Sequence, residues 1–376
     1  VARDSLFGEP IVWGGRPKVV AVPTGYRIGA LVMATAALIA LACAVLVATT
    51  VHAKAGGLIL FSAWSSTLAL ALRYGPVIWR SEVEYLVTER HVMWKRGGIR
   101  RTIDRAAISY ARIHWHSGNP GIGDLELIRA VPTGALRRKL SLTLPGVAGP
   151  DRLWAIIRGV PPSGGAGDGH RPLAQRLDEG ERVLWAARPR PSWRHWFPAE
   201  TRQVLTAGIG LLVGFAFVRE LRTAIPAAQH VVAGGLSTRS PAFIALVVAV
   251  TLTAILLACV AIGLGYVALV RPARLVRQTR YLITNRRVLI QRGDEELCLD
   301  RKRIVDVIDS PGQQGMHDIF LVLDGPKARA VAASGAFGER DVEDGLVPVL
   351  YAVADPEEVG QILRMPSEPP PLHGAA

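Results

Sequence analysis

Cysteine is scarce, with three in 376 residues. Cys43 and Cys259 fall inside apolar runs and Cys298 in a strand-like segment. None has a C-x-x-C partner, which argues against a disulfide framework; the three read as small buried side chains. Catalytic signatures are missing too. No GxxxxGK[ST], HExxH or GxSxG occurs. GIGDLE (121–126) is glycine-rich but joins strands rather than opening a helix, which argues against a dinucleotide site. Charge is absent from four long stretches: residues 28–51, 55–72, 203–218 and 240–270. A hydrophobic content of 50% occurs in soluble proteins. Its concentration in charge-free runs argues against a wholly soluble chain, and disorder, collagen and disulfide-scaffold classes are excluded.

These four stretches predict four transmembrane helices. A helix needs about 20 apolar residues to cross roughly 30 Å of hydrocarbon. The third stretch has only 16 residues, and Arg202 and Arg219 at its ends extend it by snorkelling. A cleaved signal peptide fits residues 28–51 poorly, because the run is long and a second follows at once. Residues 73–202 carry a net charge of +10, whereas 271–376 carry −2. Arg271, Arg274, Arg277 and Arg280 follow the last stretch directly. The positive-inside rule therefore places both termini and the middle segment in the cytoplasm, although three arginines in 219–239 run against it.

The chain also repeats itself. GEPIVWGGRP (8–17) matches GERVLWAARP (180–189), and each precedes a pair of apolar stretches. Each pair is followed by a tyrosine-led segment, YLVTERHVMWKRG (85–97) and YLITNRRVLIQRG (281–293), identical at seven of thirteen positions. GNPGIGDLELI (118–128) then aligns with GQQGMHDIFLV (312–322). Each copy ends in an amphipathic helix pattern, DRLWAIIRG (151–159) and DPEEVGQILR (355–364). In the second, Asp355 precedes Pro356 as at a helix N-terminus.

The reading by segment is a lead-in (1–27), a helix pair (28–72), a β-rich domain (80–160) and a flexible Pro/Gly linker (161–178). A second lead-in (179–202), helix pair (203–270) and β-rich domain (277–365) precede a disordered tail (366–376). In the β-rich domains Val83, Tyr85 and Val87 alternate with Glu82, Glu84 and Thr88, and Ile319, Leu321 and Leu323 share a face. Turn signals recur at Thr88–Arg90, Gly97–Gly98 and Thr284–Arg286. Short strands with such turns suggest a small barrel or sandwich.

The pattern Tyr-x-x-Thr-x-x-Arg-Val-x-x-x-x-Gly, a Gly-rich turn with Asp and a closing helix resembles the bacterial PH-like domain. The chain resembles the membrane family that joins this domain to two preceding spans, here in tandem. The second copy carries the pattern through Tyr281, Thr284, Arg287, Val288, Gly293 and Asp318; the first departs from it at His91. The resemblance implies an α+β membrane protein with four transmembrane helices and two cytoplasmic PH-like β-barrels, each of seven strands and closed by a C-terminal helix. It implies no catalytic reaction.

Two basic clusters mark the first β-rich domain: Lys95, Arg96, Arg100 and Arg101 on one hairpin, and Arg137, Arg138 and Lys139 further on. Near an anionic leaflet each base contributes about 1 kcal/mol, so these residues are candidate lipid contacts; the alternative is a solvated face that obeys topology. Trp13, Trp185, Trp193 and Trp196 precede the helix pairs and are candidate interface anchors. His114 and His116 share a strand face, with His91 as a third metal-ligand candidate. The second copy has no such pair, and the plainer reading is a strand face. The stretches offer only hydroxyls, among them Ser62, Ser65, Ser66 and Thr67, which suit helix packing better than ion transport. Gly57 to Ser66 and Gly263/Gly265 are candidate packing faces.

The sequence thus leads to a non-enzymatic protein of the bacterial cytoplasmic membrane without cofactor or metal. Its expected partners are anionic lipids and a second copy or another membrane protein, not nucleic acid, in a scaffold or envelope-stress role. The competing readings are a transporter or channel component with regulatory domains, and an enzyme with a noncontiguous site.

Overall fold

The computed structural model describes residues 9–19, 22–50, 55–129, 140–161, 173–189, 201–233, 241–311, 316–323 and 345–367. The described helices are α1 (Thr24–Thr50), α2 (Gly56–Ser81), α3 (Pro150–Arg158), α4 (Thr201–Ala233), α5 (Pro241–Gly265), α6 (Arg271–Gln278) and α7 (Pro356–Arg364). The strands of the first half are β1 (Ile11–Gly15), β2 (Glu84–Thr88), β3 (His91–Arg96), β4 (Ile99–Asp104), β5 (Tyr110–Trp115), β6 (Ile122–Arg129) and β7 (Leu140–Ala148). Those of the second are β8 (Val183–Ala187), β9 (Thr279–Thr284), β10 (Arg287–Arg292), β11 (Glu295–Asp300), β12 (Ile304–Pro311), β13 (His317–Leu323) and β14 (Val349–Val353). The class is α+β. The chain divides into two compact units, one of Val1–Ala21, Arg80–Pro191 and Leu275–Ala376, the other of Val22–Trp79 and Ser192–Arg274.

The helical unit has four helices long and apolar enough to cross a membrane: Gly25–Thr49, Gly56–Ser81, Gln203–Ala224 and Val247–Gln278, with mean hydropathy from 1.2 to 2.7. The short third stretch lengthens because the helix runs on through Arg219, Glu220 and Arg222. The last helix continues from α5 through one π-helical turn, Tyr266–Val270, into α6. Large apolar side chains point outward: Leu60, Trp64, Leu211, Phe215 and Ile262 are each more than two thirds exposed. Such an apolar exterior suits lipid rather than water.

Small residues set the close approaches between these helices. Gly210 and Gly214 form a GxxxG face on α4; a Cβ on Gly210 would sit 3.2 Å from Leu264 Cβ, and one on Gly214 4.0 Å from Ala261 Cβ. Ser62 is buried and donates to the Ala37 carbonyl at 2.8 Å, tying α2 to α1. Ser65 is buried as well, while Thr67 bonds back to Ala63 of its own helix. Gly57, Gly263 and Gly265 have open space where a Cβ would be, whereas a Cβ on Gly29 of α1 would lie 3.4 Å from Leu72 Cδ1 of α2.

Among the described residues of the other unit, every strand pairing is antiparallel and the strands form three open sheets: β1-β2-β3-β4, β7-β6-β5-β11-β10-β9-β8 and β12-β13-β14. The expected alternation holds, since Val83, Tyr85 and Val87 are fully buried. Two features differ from the sequence-based expectation. The lead-ins are not mere approaches to the helices, because β1 and β8 lie within them and pair with β2 and β9. Among the described residues, neither half closes into a barrel. A one-turn 3₁₀ helix, Arg105–Ala107, separates β4 from β5, and β5 takes β11 of the other half as its neighbour. One core contains Val83, Tyr85, Leu125, Leu144, Leu153 and Ile157, but also Leu282, Leu289 and Cys298 from the second half. The other gathers Ile283, Ile290, Leu299, Leu321 and Val359 together with Tyr110 and Ile128 from the first.

Candidate functional site

The motif residues are built into clamps. Thr284 Oγ1 donates to Glu181 at 2.6 Å and accepts from the Arg287 backbone N–H at 2.8 Å, closing the turn into β10. Arg287 Nε donates to the same carboxylate at 2.9 Å. Glu181 lies just before β8, so this bond fastens the edge strand to its sheet. Asp178, from the segment read as linker, accepts from Arg158 of α3 at 2.6 Å and lies 3.4 Å from Arg287. Arg158 also reaches Asp300 at 3.3 Å. Burial alone would raise the Glu181 carboxyl, but the Arg287 and Thr284 hydrogen bonds hold it below its ordinary value. Burial would likewise lower Arg287, yet Glu181 and Asp178 hold its guanidinium above the usual range. Each buried charge is thus compensated.

The first half keeps the threonine–glutamate contact and has histidine in place of the arginine. Thr88 Oγ1 donates to Glu9 at 2.6 Å, and His91 Nδ1 lies 3.3 Å from Glu9. His91 therefore stands where Arg287 stands and meets the corresponding glutamate. The signal was present in the matched lead-ins, both of which begin Gly-Glu. Reading these lead-ins as topology markers missed the partner of the motif threonine.

A second clamp closes each helix. Arg105 donates to Ile157 O at 2.8 Å and Ile156 O at 3.0 Å, and its other nitrogen to Thr88 O at 3.0 Å and Glu89 O at 2.9 Å. Arg301 donates to Thr284 O, Asn285 O and Met365 O at 3.2, 3.3 and 2.8 Å, and to Ile362 O. Both satisfy carbonyls that a helix C-terminus leaves open. Asp124 accepts from Gly146 N at 2.7 Å and Asp318 from Ala352 N at 2.9 Å. The latter two residues have positive φ, +67° and +52°. A Cβ on Gly146 would fall 1.9 Å from Val19 O, so this position requires glycine.

The pairing of β5 with β11 brings further charge together. Glu296 accepts from Arg176 at 2.6 Å and from Trp115 Nε1 at 3.2 Å. Arg176 lies over the Trp115 ring, 5.4 Å from its centroid. Cys298 is buried beside this carboxylate; burial first and Glu296 second push its thiol well up, which disfavours the thiolate. Next to the pairing, a cavity of about 330 Å³ is lined by Arg112, His114, Asp124, Glu126, Glu295 and Gly345, among others. Arg112 pairs with Glu126 at 2.7 Å.

The three histidines do not converge. His116 Nε2 is engaged with Asp124 at 3.0 Å, His114 lines the cavity and His91 faces Glu9. Among the described residues, no group of three or more His, Cys, Asp or Glu could hold a metal ion.

The basic hairpin is β3–β4. Residues directly opposite in an antiparallel pair share a face. Lys95 lies opposite Arg100, and Trp94 opposite Arg101. Lys95 and Arg100 thus share one face and Arg96 and Arg101 the other. Arg96 pairs with Glu82 at 3.3 Å, and Arg101 lies 5.8 Å from the Trp94 ring centroid. Arg137, Arg138 and Lys139 lie outside the described residues, as do Trp193 and Trp196. Trp13 is in β1 and Trp185 in β8, each partly buried against a core.

Compared with known proteins, the chain matches no family model, no curated protein and no solved structure.

Proposed function

We propose that this is a multi-pass protein of the bacterial cytoplasmic membrane, non-enzymatic, that presents two PH-like domains as a scaffold at the membrane surface. Each half supplies a four-stranded and a three-stranded set followed by a closing helix: β1–β4 with β5–β7 and α3, then β8–β11 with β12–β14 and α7. The parallel clamps at Glu9/Thr88 and Glu181/Thr284, and at Arg105 and Arg301, support two copies of one unit. In each, the motif threonine and its glutamate are taken up in hydrogen bonds that hold the fold.

The observation that carries the lipid contact is the register of β2 with β3. Glu84 lies opposite Lys95, and Arg96 pairs with Glu82, the residue after α2 ends at Ser81. The antiparallel strands therefore bring the hairpin end at Lys95 and Arg96 beside Glu84 and Glu82. There Ile99 is 51% exposed among four bases. An apolar tip ringed by positive charge suits an anionic headgroup layer. The matching tip of the second half carries Asp294 and Glu295 instead, and we assign that half to protein contact.

The test is hydrogen exchange on the full chain in nanodiscs of anionic or zwitterionic lipid, across a salt series. Residues 95–101 are expected to be protected only with anionic lipid and to lose protection as salt rises. Equal exchange in both lipids at low salt would overturn the lipid contact.

A further inference from the structure

Each half fastens its lead-in strand through one glutamate, but the partner of that glutamate differs in chemistry. In the second half the Glu181 side chain is wholly buried and that of Arg287 only 7% exposed. A guanidinium keeps its charge throughout the range of pH in which proteins work, so this fastening is constant. In the first half Glu9 accepts from Thr88 Oγ1 at 2.6 Å and lies 3.3 Å from His91 Nδ1. Both of these side chains reach solvent, and protons can therefore enter and leave. The backbone keeps the imidazole in place whatever its charge: the His91 N–H donates to Thr88 Oγ1 at 2.9 Å, and the residue pairs with Asp104 across β3 and β4.

The charges around His91 come from three elements. Glu9 approaches from the lead-in. Asp104 lies opposite on β4 and shares the same face, with its Oδ1 accepting from the Ala106 N–H at 2.8 Å. Both carboxylates favour the imidazolium. Glu89 and Arg90 occupy the turn between β2 and β3, and Arg105 places its guanidinium on the Thr88 and Glu89 carbonyls; the two arginines oppose the imidazolium. The Thr88 hydrogen bond chiefly, and His91 after it, hold the Glu9 carboxyl below its ordinary 4.5 against the opposing effect of burial. Glu9 is therefore ionised across the range in which an imidazole changes charge, between about pH 5 and 8.

We propose that the first half carries a proton-dependent fastening of β1: the imidazolium of His91 holds Glu9 and with it the edge strand, and loss of the proton loosens that strand while Arg287 keeps β8 in place. Protonated, Nδ1 donates to the carboxylate and attracts it. Neutral, the ring loses the attraction, and one of its tautomers turns a lone pair toward the carboxylate. The fastening is thus complete on the acid side of the imidazole's titration and is lost as pH rises through it. β1 is a strand that can be released locally. Its described sheet neighbour is β2 alone, and the register between them already shifts between Ile11 and Trp13. Gly15 ends β1 and Thr24 opens α1, so the segment released is the one that leads into the first long helix. The device goes beyond the scaffold reading and stands without the lipid contact.

The test is hydrogen exchange on the detergent-solubilised full chain from about pH 5 to 8. It is read within each sample as the ratio of exchange in residues 11–15 to exchange in residues 183–187, so that the pH dependence of the chemical step cancels. In the wild type the ratio is expected to rise several-fold from the acid to the alkaline end. His91→Arg should hold it at the low acid value throughout, and His91→Gln at the high one. Each variant alone removes the titrating group, so if one fails to fold the other still decides. A ratio that stays flat in the wild type, or a slope that survives either substitution, would overturn the proposal.

Discussion

The clamp glutamate meets an arginine in one half and a histidine in the other. Glu181 is wholly buried and held by Arg287, whereas the Glu9 side chain is 19% exposed beside His91. Removing one member of a buried ion pair leaves the other charge uncompensated and costs about 3–5 kcal/mol. Glu181→Gln should therefore lower the thermal midpoint of the detergent-solubilised chain by far more than Glu9→Gln. The sign with pH follows from the direction of the shift. The folded carboxyl of Glu181 lies below its ordinary value of 4.5. Its contribution is complete above that value and is lost as pH falls through the folded value. The gap between wild type and Glu181→Gln should thus be constant near neutrality and shrink on acidification below 4.5. A gap that widened in acid would contradict the clamp.

Among the elements, α4 and α5 approach each other closely at Gly210, a residue without a side chain. Gly210→Val would place a branched side chain where the Leu264 Cβ lies 3.2 Å from a Cβ position. Overpacking of this kind costs about 1–3 kcal/mol. The expected result is faster proteolysis between α4 and α5 in detergent, with Gly263→Val, which faces open space, as the unaffected control. The strands and closing helices were legible from alternation and turn residues. β1 and β8 were not, because each is five residues long and marked chiefly by Trp-containing segments that also suit a membrane interface. Their assignment depends on the distant strands β2 and β9.

For the whole molecule, the two halves are one folding unit through β5 and β11. An isolated fragment of residues 80–160 lacks β1, leaves the β5 edge unpaired and loses Arg176 and Glu296 from around Trp115. We expect it to self-associate or precipitate, as exposed edges do, whereas the full chain in nanodiscs remains dispersed. Light scattering after size exclusion decides. A monodisperse, cooperatively unfolding fragment would mean that the pairing with β11 is dispensable to the first half.

The sequence by itself determined four apolar helices, the short strands between turn residues and the two closing helices, because each depends on local periodicity. It also displayed the matched segments whose threonines and glutamates meet in the clamps. Only the tertiary structure decided which strand neighbours which. β5 and β11 are about 180 residues apart in the chain, and strand patterning specifies a face but not a partner. The same holds for Arg176 and Asp178. They sit in a stretch whose composition reads as linker, and their buried ion pairs arise from strands brought to them by the rest of the fold.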